Sequence, residues 1–125
     1  MAHDQNVKLL IAIKNSDLDE EELEKAVQTL FLQIREMNEV ESVNRVFDSA
    51  PPEGNKSLGG FIVGVLTAEV NFANAKAVFR FLGDRLGGKD IELEVEANGK
   101  KLKVKASSRE ELDYAIRAAQ DFIKE

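Results

Sequence analysis

The sequence has 125 residues, of which 43% are hydrophobic, 32% charged and 6% aromatic, which predicts one globular domain over residues 1–125 with a core of its own. Because the chain has no cysteine and a single histidine, disulfides, cysteine nucleophiles and zinc ribbons are excluded, and histidine-based metal centres and acyl-transfer triads nearly so. The net charge of −6 has the wrong sign for a general binder of nucleic-acid phosphates.

The sequence predicts neither a targeting segment nor a membrane span. Residues 1–6 are polar and lack the basic start and apolar run of a signal peptide. The most apolar region, residues 58–86, contains five charged side chains, which is unfavourable for a membrane-spanning segment. We therefore expect a cytoplasmic protein.

The first part of the chain predicts a strand, a helix and a second strand. Residues 7–13 are a short apolar run, typical of a buried strand. Asp17 and Glu20 have the spacing of a capping box, and apolar residues recur at helical spacing after them, which predicts an amphipathic helix over residues 18–38. Residues 40–47 are rich in valine and predict the second strand, so that the three elements form a right-handed βαβ unit.

The middle of the chain predicts a loop followed by helices. Both prolines and three of the eight glycines lie within residues 48–60, which predicts a loop. The apolar region after it predicts two helices, near 59–70 and 72–86, with a break between them. A strand over residues 61–66 is the alternative for the first of these helices, because that stretch is rich in β-branched residues.

The last third predicts a hairpin and a helix. Glutamates alternate with apolar residues on one side of Asn98-Gly99 and lysines do so on the other side, and this dipeptide is typical of a two-residue type I′ turn. Ser108 and Glu111 have capping-box spacing and predict the start of the final helix. The pairs that the turn predicts are Glu96–Lys101, Glu94–Lys103 and Glu92–Lys105 on the solvent face, and Val95–Leu102 and Leu93–Val104 on the core face.

These elements follow the order β-α-β-α-α-β-β-α, and no internal repeat is present. The economical architecture for this order is an α+β two-layer sandwich, in which the helices pack on one four-stranded mixed sheet.

Several of these features together resemble one known family. An apolar first strand precedes the acidic helix start DLDEEELEKAVQTL, the second strand begins with VESV, and an NG hairpin and a Ser-x-x-Glu helix close the chain. The loop APPEGNKSLGG carries Pro52, Gly54 and Lys56 in a Pro-x-Gly-x-Lys pattern. Over about residues 7–123 the chain resembles the effector-associated constant component family, small α+β domains of bacterial conflict systems.

The resemblance implies a role rather than a reaction. Domains of this family accompany effectors that vary, among them caspase-like and trypsin-like proteases and nucleotide-hydrolysing signalling proteins. It therefore implies a non-catalytic adaptor that couples to such an effector in bacterial immunity or programmed cell death. It supplies no catalytic residue, and we expect no enzyme activity, no metal, no cofactor and no nucleic-acid partner.

Two surfaces are candidates for docking the protein partner. Asp17, Asp19 and Glu20 belong to a run of six carboxylates within eight residues, which could attract a basic partner. Carboxylates also favour the positive end of a helix dipole, so a solvated helix start is the simpler interpretation. The calcium-loop interpretation fails because neither the turn glycine nor the distal glutamate is in register.

The second candidate surface is the loop that carries Pro52, Gly54 and Lys56. Lys56 is the only positive charge of the loop and could anchor a carboxylate or a phosphate. The loop does not match a phosphate-binding P-loop, because Asn55 stands where that motif has a glycine. A structural loop is again the simpler interpretation.

Two other functions stay open at this point. One is a membrane-acting module that releases the apolar segment 58–86 on activation, although its charges disfavour insertion at rest. The other is a small-ligand sensor that uses the loop over residues 50–60. A homo-oligomer is left open as well.

Overall fold

The computed structural model describes residues 6–14, 17–47, 57–58 and 61–124. This part of the chain contains six strands and three α-helices, and a single 3-10 turn over Phe72–Asn74 precedes the second helix. In chain order the elements are β1 (Asn6–Ile13), α1 (Glu20–Arg35), β2 (Val40–Phe47), β3 (Ser57–Leu58), β4 (Phe61–Asn71), α2 (Ala75–Leu86), β5 (Ile91–Ala97), β6 (Lys100–Ala106) and α3 (Arg109–Lys124).

Five strands form one sheet in the order β2-β4-β1-β5-β6, and the short β3 pairs with one end of β4. All pairs between the described strands are antiparallel. The α+β class is therefore confirmed, but the prediction of four strands in a mixed sheet is wrong. The strands β1 and β2 run in the same direction with β4 between them, so the predicted βαβ unit is split by an antiparallel strand.

The fifth long strand arises where the sequence predicted a helix. Residues 61–71 form β4, so the predicted helix over 59–70 is wrong and the alternative strand over 61–66 is right, although the strand is longer. This stretch pairs with β1 on one side and with β2 on the other, and in a strand alternate residues face the core. The buried residues that alternate along this strand are Leu66, Ala68 and Val70.

A glycine bulge bends β4 near its start. Gly64 has a φ of +78°, and a Cβ built on it would lie 3.0 Å from the backbone oxygen of Ile13. The register of β4 against β2 shifts between Arg45 and Phe47 at the same end of the strand. An L side chain is strained at this angle and crowded at this distance, so glycine is the residue that fits the bulge.

The first helix begins later and ends earlier than predicted. The N-cap is Asp19 and its partner is Glu22, so the capping box uses this pair rather than Asp17 and Glu20. Both pairs have the same spacing, but Asp17 lies in a turn before the helix and Asp19 stands at its N-cap. The helix ends at Arg35, three residues before the predicted end at residue 38.

One core lies between the sheet and the three helices. Leu9 and Ile11 of the central strand β1 belong to a single cluster of buried residues, together with Phe79 and Leu82 of α2 and Leu112 of α3. The register places the apolar residues of neighbouring strands on this same face. The opposite face of the sheet carries none of the described helices.

The hairpin of β5 and β6 follows the sequence prediction. All five predicted pairs are present in the register. Asn98 and Gly99 both have positive φ, at 57° and 78°, as a type I′ turn requires. The glutamates and lysines therefore share the uncovered face of the sheet, and the apolar residues share the core face.

Candidate protein-binding surface at the edge of the sheet

The uncovered face of the sheet carries a row of alternating charges. Lys8 of β1 pairs with Glu69 of β4 on one side and with Glu96 of β5 on the other, and Glu96 pairs with Lys101 of β6. Because each positive charge lies between or beside negative ones, the centre of this face has no net attraction for a charged partner. A shallow depression of about 380 Å³ lies over the same residues and over Leu10.

At the β6 side of this face, Glu92 and Glu94 of β5 are less exposed than the lysines of β6 with which they pair. The carboxylate of Glu92 lies 3.6 Å from the Nζ atom of Lys105 and 3.9 Å from that of Lys103. Glu94 lies 3.9 Å from Lys103 and 4.0 Å from Lys101. The two glutamate side chains are 19% and 26% exposed, whereas the three lysine side chains are between 54% and 75% exposed. The lysines therefore present a positive row to solvent.

The outer side of β6 is an edge of the sheet. β6 is the last strand in the order, and none of the described strands other than β5 pairs with it. The backbone N–H and C=O groups along an edge strand can pair with an added strand. We call this side of Lys100–Ala106 the β6 edge.

An apolar groove runs beside the β6 edge. It has a volume of about 440 Å³ between β6 and α3, and Tyr114 on its rim is 76% exposed. We call it the β6–α3 groove. Its lining residues are Val104, Lys105, Glu110, Glu111, Tyr114, Ala115 and Ala118.

The apolar residues of β6 are only partly covered. Leu93 and Val95 of β5 are 2% and 0% exposed, whereas Leu102 and Val104, their partners across the hairpin, are half-buried. The difference follows from position, because β5 has a strand on both sides and β6 has one. A further strand against β6 would bury this apolar surface.

Hydrogen bonds at the start of α3 fix the groove walls relative to each other. The hydroxyl of Ser108 accepts from the backbone N–H of Glu111 (3.1 Å), which confirms the predicted cap. The Glu111 carboxylate reaches one residue further back than a standard capping box and accepts from the backbone N–H and the hydroxyl of Ser107, at 2.7 and 2.9 Å. These bonds, first from the backbone and then from the hydroxyl, hold the pKa of Glu111 below its usual value.

The acidic helix start is partly engaged in holding the fold. The Asp19 carboxylate accepts from the backbone N–H of Glu22 (2.8 Å), and the Glu22 carboxylate accepts from that of Asp19 (3.0 Å). Asp17 is exposed and Glu20 is half-buried. The three predicted docking residues, Asp17, Asp19 and Glu20, thus lie at the same end of α1, and the carboxylate of one of them serves as the helix cap.

The other three predicted docking residues, Pro52, Gly54 and Lys56, lie outside the described residues. Of the predicted loop over 48–60, the structure describes Ser57–Leu58, which form β3.

Arg45 is a structural residue that the sequence did not reveal. Its guanidinium donates two hydrogen bonds to the carboxylate of Glu24, at 2.6 and 2.8 Å. It also donates to the backbone oxygens of Val65 and Ile62 in the bulged part of β4, at 3.1 and 3.2 Å. The residue joins β2, β4 and α1. Because its partners are distant in sequence, only the strand order could have pointed to it.

The β6 edge was also missed, although the hairpin itself was predicted. Whether a strand lies at an edge depends on the order of all strands, which the local pattern does not contain. The one local signal is Tyr114, a large aromatic residue between the polar residues Asp113 and Arg117 on the exposed side of α3.

Comparisons of the chain with protein families, curated proteins and solved structures find no match. The resemblance to the effector-associated constant component family therefore rests on the sequence features alone. Within the described residues no group of three or more acidic or histidine side chains could hold a metal ion. None of the helices that the structure describes is both long and apolar enough to cross a membrane.

Proposed function

We propose that this chain is a protein-binding domain whose docking surface consists of the β6 edge and the β6–α3 groove. In particular, it acts as a non-catalytic adaptor that couples to an effector in bacterial immunity or programmed cell death. The effector is a caspase-like or trypsin-like protease or a nucleotide-hydrolysing signalling protein, as the resemblance implies. The acidic helix start, with Asp17, Asp19 and Glu20, is a second and weaker docking candidate.

The observation that carries the proposal is the β6 edge, with which none of the described strands other than β5 pairs, beside an apolar groove. A row of backbone donors and acceptors is suited to a polypeptide, which offers the complementary row along its whole length. The adjoining groove can take the side chains that an added strand points toward α3. A small ligand would use one part of this long and open surface, so the geometry favours a peptide segment.

The groove offers little to proton-transfer chemistry. Glu111 accepts two hydrogen bonds from Ser107, and these favour its charged form. A carboxylate held in this way caps a helix and is a poor proton donor near neutral pH. This supports a binding role for the surface that the groove forms.

The membrane-acting alternative would require the core to open. Segment 58–86 contains β4, which lies between β2 and β1, and α2, whose Val78, Phe79 and Leu82 are buried. Removing these elements would separate β2 from β1 and expose the centre of the core to solvent. The ligand-sensor alternative uses the loop over 50–60, most of which lies outside the described residues.

Site-specific photo-crosslinking tests the proposed function. A photoreactive phenylalanine analogue replaces Tyr114 in the groove, or Leu32 on α1 as an exposed apolar control (42% exposed, against 76% for Tyr114). Each variant is co-expressed with the products of the genes that flank its own, which are the candidate effectors. We expect the probe at position 114 to crosslink to one of these effectors and the probe at position 32 not to do so.

Two results would contradict the proposal. One is the absence of a crosslink from position 114 to any co-expressed effector. The other is substrate turnover by the purified chain that a single substitution abolishes, since an adaptor has no catalytic residue to lose.

A further inference from the structure

We infer that the β6 edge selects a partner strand in which acidic and apolar residues alternate. This inference rests on the proposed function, because it specifies the segment that the docking surface takes. It follows from a pairing that the molecule already contains.

The inner side of β6 shows which strand fits it. β5 has the sequence IELEVEA, and its glutamates lie opposite the lysines of β6 while its apolar residues lie opposite Leu102 and Val104. Side chains alternate between the faces of a sheet, so β6 presents the same lysine row and the same apolar row toward its outer side. A strand with the pattern of β5 therefore matches both rows at the β6 edge.

The two faces would contribute differently to binding. On the uncovered face, carboxylates of the added strand meet Lys101, Lys103 and Lys105, and cross-strand pairs of opposite charge are favourable. On the helix face, apolar side chains of the added strand enter the β6–α3 groove and contact Tyr114 and the half-buried Val104. Charge sets the register and the groove supplies apolar burial.

The same lysine row acts against pairing between two copies of this chain. Two β6 strands that meet edge to edge place lysine opposite lysine on the uncovered face, and like charges directly opposite are destabilising. Lysines on an edge strand are a common protection against such association. The row thus excludes self-pairing through this edge and leaves it available to an acidic strand.

Peptide binding to the full chain tests the inference. The probe is a short synthetic peptide, blocked at both ends, in which glutamate alternates with valine or leucine. Two control peptides have lysine in place of each glutamate, or the same composition with the glutamates grouped at one end. Binding is followed by backbone amide chemical shifts and by fluorescence anisotropy at low and at high salt.

We expect the alternating acidic peptide to bind, to shift the amides of residues 100–106 and to bind more weakly at high salt. Neither control peptide should shift these amides. Lys103→Gln should weaken binding about two- to fivefold, the effect of one cross-strand charge pair. The matched control is Lys8→Gln, which removes an exposed lysine from the same face two strands away and should leave binding unchanged.

The inference is overturned if the acidic peptide leaves residues 100–106 unperturbed, or if the lysine peptide binds there equally well. It is also overturned if Lys8→Gln weakens binding as much as Lys103→Gln does. Should the peptide fail while the crosslink from position 114 to an effector persists, the choice of partner strand is wrong and the proposed function stands. Should both fail, the docking surface itself is wrong.

Discussion

The Arg45 guanidinium and the Glu24 carboxylate form a two-point ion pair, with N–O distances of 2.6 and 2.8 Å. The Arg45 side chain is 7% exposed and that of Glu24 is 23% exposed. The pair joins α1 to β2, and Arg45 further ties the bulge of β4 through two backbone oxygens. One member of the acidic run is therefore committed to the fold.

Breaking this pair should destabilise the protein from either side. Glu24→Gln leaves a buried guanidinium without its counter-charge, and we expect a loss of about 1–3 kcal/mol in the free energy of unfolding. Arg45→Met removes the bonds to Glu24 and also those to the backbone oxygens of Val65 and Ile62, so its cost should be at least that of Glu24→Gln. Denaturant unfolding measures both values.

The matched control is Glu21→Gln on the exposed side of the same helix. It should change the free energy of unfolding by less than about 0.5 kcal/mol. Equal stability of Glu24→Gln and Glu21→Gln would show that the ion pair does not hold α1 to the sheet.

Gly64→Ala should destabilise the protein both by backbone strain and by crowding. Gly88→Ala, which has the strain without the crowding, distinguishes the two effects. At Gly64 the added Cβ meets both the positive φ and the backbone oxygen of Ile13 at 3.0 Å, whereas Gly88 has a φ of +90° with nothing within 4 Å of the added Cβ. We expect Gly88→Ala to cost about 1 kcal/mol and Gly64→Ala about 1–3 kcal/mol. Thermal and denaturant unfolding measure both variants. A smaller loss of stability for Gly64→Ala than for Gly88→Ala would contradict this account of the bulge.

Glu111 should make the stability of the fold depend on pH in the acidic range. Its pKa is lowered in the folded chain by the hydrogen bonds from Ser107, so its contribution is present above the unfolded pKa and is lost as pH falls through the folded pKa. Ser107→Ala removes the hydroxyl but keeps the backbone donor, and should raise the pKa of Glu111 part of the way to its usual value. An NMR titration of the Glu111 side chain measures this, and an unchanged value in Ser107→Ala would contradict the assigned cause.

The two strands of the hairpin should differ in their tolerance of a buried charge. Val95→Asp places a carboxylate at a position that is 0% exposed, and we expect it to prevent folding. Val104→Asp lies at the half-buried edge and should leave a folded protein with a lower melting temperature. Circular dichroism during heating distinguishes the two, and an unfolded Val104→Asp beside a folded Val95→Asp would contradict the burial order.

Features that depend on residues close together in the sequence could be predicted, whereas features that depend on distant residues could not. The register of the hairpin and the cap of α3 depend on residues close in the chain, such as Asn98, Gly99 and Ser108, and both were predicted. The helix predicted over 59–70 was wrong because its small and apolar residues suit a helix or a buried strand equally well locally. Only the pairing of β4 with two distant strands decides between them.

The candidate site shows the same limit. The lysines of β6 and the helix start at Ser108 are visible in the sequence, but the edge position of β6 depends on the order of five strands. Arg45 and Glu24 are 21 residues apart in the sequence and are brought together by the packing of α1 against the sheet. The class of partner is inferred from the resemblance to a known family, and no property of the fold indicates it.

The central claim is that the partner docks on the β6 edge, and hydrogen exchange of the complex tests it most directly. The sheet has a second edge at β2, which serves as an internal control within the same molecule. The account predicts that the bound effector slows amide exchange in residues 100–106 and leaves that of residues 40–47 unchanged. Protection confined to β2, to the acidic start of α1 or to any surface other than β6 and α3 would contradict it.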